Sequence, residues 1–143
     1  MSMITFLTTE VNEQYNYVDG VYWMIEKERR PWGYFTVLQR GDKYCVKELF
    51  VEPEMRISLQ FHRYRTEDWV VVEGDGMITQ GNLETPCKVG DTFFIQIEQR
   101  HRIQGGKNGI RIIEVQRGDC KEDDIVRLQD DFNREDHFAW GHY

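Results

Sequence analysis

The chain has 143 residues, 40% hydrophobic and 30% charged, with a net charge of −7; this fits one soluble globular domain and argues against a nucleic-acid binder, whose surface is ordinarily basic. No run reaches the roughly 18 apolar residues of a membrane helix, and Met1 to Glu10 lacks the basic and apolar blocks of a signal peptide, so a cytoplasmic protein without a membrane partner is expected. The three cysteines, Cys45, Cys87 and Cys120, are odd in number and widely spaced, which speaks against a disulfide framework or a zinc ribbon.

In chain order, residues 1–27 read as an arm with strand-like pieces such as Val21 to Ile25. Pro31 and Gly33 mark a turn. Short β-rich runs follow at 34–39, 44–51, 57–61, 69–73, 77–79, 92–97 and 110–116. Turn residues separate them: Gly41-Asp42, Pro53, Gly74-Asp75-Gly76, Gly81-Asn82, Gly90-Asp91 and Gly105-Gly106. Such closely spaced strands predict an antiparallel, all-β sandwich or barrel with its core over residues 30–118. Cys45 lies in an alternating run and is expected to be a buried thiol. Residues 119–143 form an acidic tail, in which Asp123 to Asp131 reads equally as a short helix or a turn. Trp140, His137 and His142 in that tail carry no pattern.

Two histidines, His62 and His101, fall within the β-rich region. Residues i and i+2 of a strand share a face, so Gln60 and His62 point the same way. A short turn returns the chain at Glu67, and Gly74 closes the segment. His101 ends a second hairpin that starts at Gly90-Asp91. A lone strand histidine is more often a hydrogen-bonded core residue than a ligand. Two hairpins stacked in a barrel would bring Gln60, His62, Glu67 and His101 to one cavity. Their mixed nitrogen and oxygen donors suit one divalent metal ion, Zn first, with Co, Mn, Ni or Fe as alternatives.

The spacing Gln60-x-His62-x4-Glu67-x6-Gly74 resembles the first motif of the cupin superfamily, Gly-x5-His-x-His-x4-Glu-x6-Gly. The stretch Gly90-x5-Gln96-x-Glu98-x2-His101-x3-Gly105 resembles the second, Gly-x5-Pro-x-Gly-x2-His-x3-Asn. Glu54 stands at the place of the opening glycine, Gln60 at that of the first histidine, and Gln96, Glu98 and Gly105 at those of proline, glycine and asparagine. A closer resemblance, from Arg30 to Arg134 or roughly three-quarters of the chain, is to type II phosphomannose isomerase. It is carried by Arg30-Pro-Trp-Gly33, Ser58-Leu-Gln60-x-His62, Arg65-x-Glu67-x-Trp69, His101-Arg102, Ile113-Glu-Val-Gln116 and Glu122-Asp-Asp-Ile-Val-Arg127. Arg63, Tyr64 and Asp68 depart from the histidines of that family.

The resemblance implies a cupin jelly-roll barrel and a metal-dependent isomerase that interconverts mannose 6-phosphate and fructose 6-phosphate. It also points to Arg30, Lys47, Arg65, Arg102 and Arg127 as cations for the phosphate. Trp32 is a candidate for stacking on the sugar, and Trp69 for packing beside the metal. The residues do not identify the base; Glu67 is a candidate only if it leaves the metal. The other readings are a non-catalytic sugar-phosphate-binding cupin and a metal-dependent dioxygenase. A homodimer is expected, its N-terminal arm adding a strand to the partner's sheet.

Overall fold

A computed structural model of the chain describes residues 4–7, 14–18 and 21–134, with side chains from Lys27 onward. His137, Trp140 and His142 lie outside the described residues. The strands are β1 (Ile4–Leu7), β2 (Gln14–Val18), β3 (Val21–Arg30), β4 (Gly33–Arg40), β5 (Tyr44–Val51), β6 (Leu59–Phe61), β7 (Arg65–Gln80), β8 (Leu83–Lys88), β9 (Thr92–Ile95), β10 (His101–Gly118) and β11 (Val126–Gln129). Every strand pairing is antiparallel. The order runs β1-β2-β3-β4-β5-β10-β6-β11, while β7 pairs with β10, β8 and β9. The strands of the arm thus extend this chain's own sheet through the pairing of β3 with β4.

The long strands β7 and β10 curl the sheet around the core. Gly74 and Gly76 do not end a strand as the turn signal suggested; they lie inside β7. A Cβ on Gly74 would stand 2.0 Å from the Gly109 carbonyl oxygen, and one on Gly76 2.1 Å from that of Gln104. Glycine is needed there because two backbones close in at a bulge, where the pairing register shifts between Gly105 and Ile110. The tail segment left open between helix and turn holds β11, which pairs with β6.

Glu54 and Glu98 adopt left-handed φ values of 62° and 63°. These are the two positions where the cupin motifs carry glycine and this chain does not. The turns therefore keep the geometry that glycine adopts freely, at a conformational cost that a β-carbon imposes.

Three neighbouring strands carry the core and then the site. The inward residues of β5 are Cys45, Lys47, Leu49 and Val51; those of β10 are Ile110, Ile112, Glu114 and Gln116; those of β7 are Arg65, Glu67, Trp69 and Val71. Register aligns them in rows. Leu49, Ile112 and Val71 form an apolar row; Lys47, Glu114 and Trp69 form the next; Cys45, Gln116 and Glu67 form the third. One inner face thus passes from hydrocarbon to ionisable groups within two strand steps. Cys45 is buried, as its alternation predicts.

Candidate metal centre

Three of the four expected ligands converge. One nitrogen each of His62 and His101 and a carboxylate oxygen of Glu67 all lie within 4.8 Å of one another, and all three residues are buried. His62 follows β6, Glu67 opens β7, and His101 opens β10 opposite Gln60. The imidazole rings stand 4.9 Å apart, and Trp69 meets His101 edge-on at 5.4 Å.

Each imidazole is oriented from behind. His62 Nδ1 donates to the Asp124 carbonyl at 2.6 Å, and His101 Nδ1 donates to the Gln99 carbonyl at 2.8 Å. A carbonyl only accepts, so the Nδ1 of each ring carries a proton and the neutral ring presents an Nε2 lone pair. Burial pushes the His101 pKa down to about 4, so this ring is neutral at pH 7. Its Nε2 is buried without a hydrogen-bond partner. His62 Nε2 lies 3.1 Å from Glu67 Oε1.

Glu67 is 2% exposed. Burial alone would raise its pKa, but the close His62 imidazole and the positive charge of Arg65 hold it well below the usual carboxylate range. Arg65 Nε donates to Glu67 Oε1 at 3.1 Å and Trp69 Nε1 donates to Oε2 at 3.0 Å. Two imidazole lone pairs and a carboxylate facing one another are a donor set that fits a divalent cation. A buried acceptor with no partner is costly unless something fills the gap.

Gln60 sits beside the cluster, its Nε2 3.4 Å from His62 Nε2 and its Oε1 accepting from Ser58 Oγ at 2.6 Å. A half-turn of the amide would exchange these atoms, giving oxygen to the cluster and the NH2 to the Ser58 hydroxyl, which also accepts.

His62 and Glu67 of the cluster, with Gln60, line a small cavity of about 110 Å³ that opens to solvent. Among the expected cations, Arg30, Lys47, Arg65 and Arg127 line this cavity. Lys47 forms an ion pair with Glu122, which also lines it. Arg65 is turned inward: besides Glu67 it reaches His62 Nε2 at 3.2 Å and donates to the Lys121 carbonyl at 2.9 Å. Arg102 is placed elsewhere, donating to the Ile57 and Gln129 carbonyls at 2.9 and 3.2 Å. Trp32 is buried on the cavity wall, and Trp69 packs beside the cluster.

Among the cavity residues that sequence reasoning did not single out as site residues are Glu114, Gln116 and Arg134. The first two were legible in principle, because the alternation Ile110, Ile112, Glu114, Gln116 keeps all four on one face. Arg134 carries no such signal. Arg63 and Tyr64, two of the departures from histidine, are exposed, and Asp68 pairs with Arg117 at 2.5 Å.

Comparison with known proteins agrees with this architecture. Residues 20–130 match the family described as mannose-6-phosphate isomerase C-terminal. The xanthan biosynthesis protein XanB of Xanthomonas campestris is 36% identical over 110 residues, which are 76% of this chain and 24% of that protein. A mannose-1-phosphate guanylyltransferase of Salmonella muenchen is 36% identical over 102 residues, 70% of this chain and 22% of that enzyme. The chain therefore spans about a quarter of these relatives' length. A cupin-2 domain of Rhodospirillum rubrum superposes with a TM-score of 0.61 at 13% identity, covering 72% of this chain and 73% of that one. The fold is an all-β cupin barrel, and the chain belongs to the family of mannose-6-phosphate isomerase C-terminal domains.

Proposed function

We propose that this domain interconverts mannose 6-phosphate and fructose 6-phosphate and depends on a divalent metal ion to do so. The observation that carries the reading is one cavity lined both by His62 and Glu67, which cluster with the buried His101, and by a set of cations, Arg30, Lys47, Arg127 and Arg134. The family supplies the sugar. The cluster suits the reacting end of an aldose, and the cations suit its phosphate.

His62, Glu67 and His101 would hold the ion, with Gln60 as a fourth donor, and Zn is the first choice for this donor set. Such an ion polarises a carbonyl and makes the neighbouring C–H more acidic. The protein's own groups do the rest. Asp124 and Gln99 fix the imidazoles through their carbonyls, and Arg65 and Trp69 hold both oxygens of Glu67. Lys47, whose side chain is 5% exposed, offers the phosphate a desolvated ammonium where a charge-assisted contact is strong. Trp32 and Phe35 supply apolar wall.

The placement of Tyr64 and Asp68 supports turnover over mere binding. Neither is among the residues that line the cavity, so their departure from histidine leaves its chemistry in place. The test is direct: metal-loaded protein should convert mannose 6-phosphate to fructose 6-phosphate, and a chelator should abolish the conversion. Tight phosphosugar binding with no turnover under Zn, Co, Mn, Ni or Fe would make it a non-catalytic binding module instead.

A further inference from the structure

Aldose–ketose isomerisation needs a group that takes a proton from one carbon and returns it to the next. Glu67 is poorly suited, because both of its oxygens are committed to the cluster and to Arg65 and Trp69. We propose that Glu114 is the acid–base residue that moves the proton between C2 and C1 of the phosphosugar. The inference rests on the isomerase reading above.

Glu114 lines the same cavity, one strand step from the row that contains Glu67. It is 3% exposed. Its hydrogen bond is local, Gln116 Nε2 donating to Glu114 Oε1 at 2.6 Å, and it is not in the group of residues whose ligand atoms converge. The groups facing it are Lys47 and the Cys45 thiol from β5, Arg65 and Glu67 from β7, and Gln116 from its own strand. Register sets Lys47 and Trp69 on either side of it. Keeping a carboxyl buried in this wall costs free energy that a leucine would not. Glu114 stands on the cavity wall outside the convergent ligand group, so its carboxyl is left to take and return a proton, as a proton carrier must.

The step balances without an oxidant or reductant. The Glu114 carboxylate takes the proton from C2 of the open-chain aldose. The C–H electron pair becomes the C1–C2 double bond, and the carbonyl pair moves to O1, which takes a proton from water that the O2 proton of the next step restores. The enediol then gives up its O2 proton, the O2 pair forms the C2 carbonyl, and the double-bond pair takes the proton from Glu114 at C1. Gln116, whose Oε1 is buried without a hydrogen-bond partner, lies beside this path and offers an acceptor for a sugar hydroxyl.

The test compares Glu114→Gln with the unmodified full chain, both metal-loaded, using mannose 6-phosphate in ordinary and heavy water. Turnover should fall by about a hundredfold or more, and deuterium exchange from solvent into C2 of recovered mannose 6-phosphate should be lost. Metal content and the dissociation constant for mannose 6-phosphate, by calorimetry, should stay within about threefold; a lost amino-acid scaffold would change both. Glu114→Asp keeps the carboxyl one methylene shorter and should retain measurable turnover, which covers the case where the glutamine variant folds poorly. Turnover of Glu114→Gln within about fivefold of the unmodified chain would overturn the assignment, as would isomerisation with no deuterium uptake in either protein. An unmodified chain that binds the phosphosugar without turning it over would instead remove the isomerase reading, and this role with it.

Discussion

His62 donates its Nδ1 hydrogen to the backbone carbonyl of Asp124 at 2.6 Å, so a candidate ligand of the barrel is aimed by the segment that leads into β11. The Asp124 carboxylate completes the attachment, accepting from the backbone N–H of Arg63 at 2.9 Å and of Tyr64 at 3.0 Å. One residue thereby fixes both the ring and the turn that carries it. Groups that orient a ligand from behind typically contribute ten- to a hundredfold in metal affinity. Asp124→Ala, which frees the turn but leaves the carbonyl in the chain, should weaken Zn binding by about tenfold in a competition titration with a chromophoric chelator. Unchanged affinity would mean that the turn holds its shape without this anchor.

The metal itself is tested at His101. The purified protein should bind about one divalent ion per chain on elemental analysis after reconstitution. His101→Ala removes one of two nitrogen donors and should lose most of it. His62→Ala should do the same. Absence of metal from the reconstituted unmodified chain would refute the candidate centre.

The barrel and the meeting of His62, Glu67 and His101 were legible in the sequence because alternation gives strands, and the spacing around His62 and His101 matches two hairpin motifs that a barrel stacks together. What was missed depends on contacts between distant segments. The turn signal at Gly74-Asp75-Gly76 split β7, because glycine marks both turns and close backbone crossings, and only the approach of Gly109 to Gly74 distinguishes them. β8 escaped notice because it pairs with β7 alone and is mostly exposed, with Pro86 and few apolar residues. The candidate phosphate cations separated by side-chain direction: Arg102 has a family-like position yet bonds the backbone of Ile57 and Gln129. The Lys47–Glu122 pair joins residues 75 positions apart, and nothing local announces it.

That ion pair makes a prediction about substrate. Glu122 places a carboxylate on Lys47, at the cavity edge where a phosphate would bind. The Glu122 side chain is 43% exposed and that of Lys47 is 5% exposed, so the acid is the partner that can leave. A charge-assisted contact is worth roughly 1.5–3 kcal/mol. Lys47→Ala should therefore raise KM for mannose 6-phosphate by about tenfold or more, while Glu122→Gln should lower it by removing a competitor. Steady-state kinetics decides, and equal binding of mannose and its phosphate by the unmodified chain would defeat the phosphate assignment.

Glu98 offers a stability test away from the chemistry. Its left-handed φ of 63° strains a residue with a β-carbon by about 1–2 kcal/mol, and glycine relieves that strain while making the unfolded chain more flexible, by roughly 0.4–1 kcal/mol. The balance favours the substitution. Glu98→Gly should raise unfolding stability by about 0.5–1 kcal/mol in urea denaturation, and Glu54→Gly should behave alike. A loss of stability in both would show that the two glutamates make compensating contacts.

Glu114 gives the pH dependence of stability a definite sign. Its pKa is about 8 in the folded chain, raised by burial and then by the charge of Glu67, against an ordinary value of 4.5. Between those values the folded state holds a proton that the unfolded state has released. Stability therefore falls as pH rises across this window: the contribution is fully present below 4.5 and is lost as pH passes through about 8. The slope approaches at most about 1.4 kcal/mol per pH unit. Glu67 and His101 act in the opposite sense, their depressed pKa values favouring the fold as pH rises from acid toward neutrality. Single curves would mix these effects, so the informative quantity is the difference between the metal-free unmodified chain and Glu114→Gln, which has no proton to lose. Measured by urea unfolding from pH 5 to pH 8.5, the unmodified chain should lose stability relative to the variant as pH rises. Parallel curves would mean that Glu114 is already ionised in the folded chain at pH 5, with the Lys47 ammonium outweighing the burial and the Glu67 charge that push the other way.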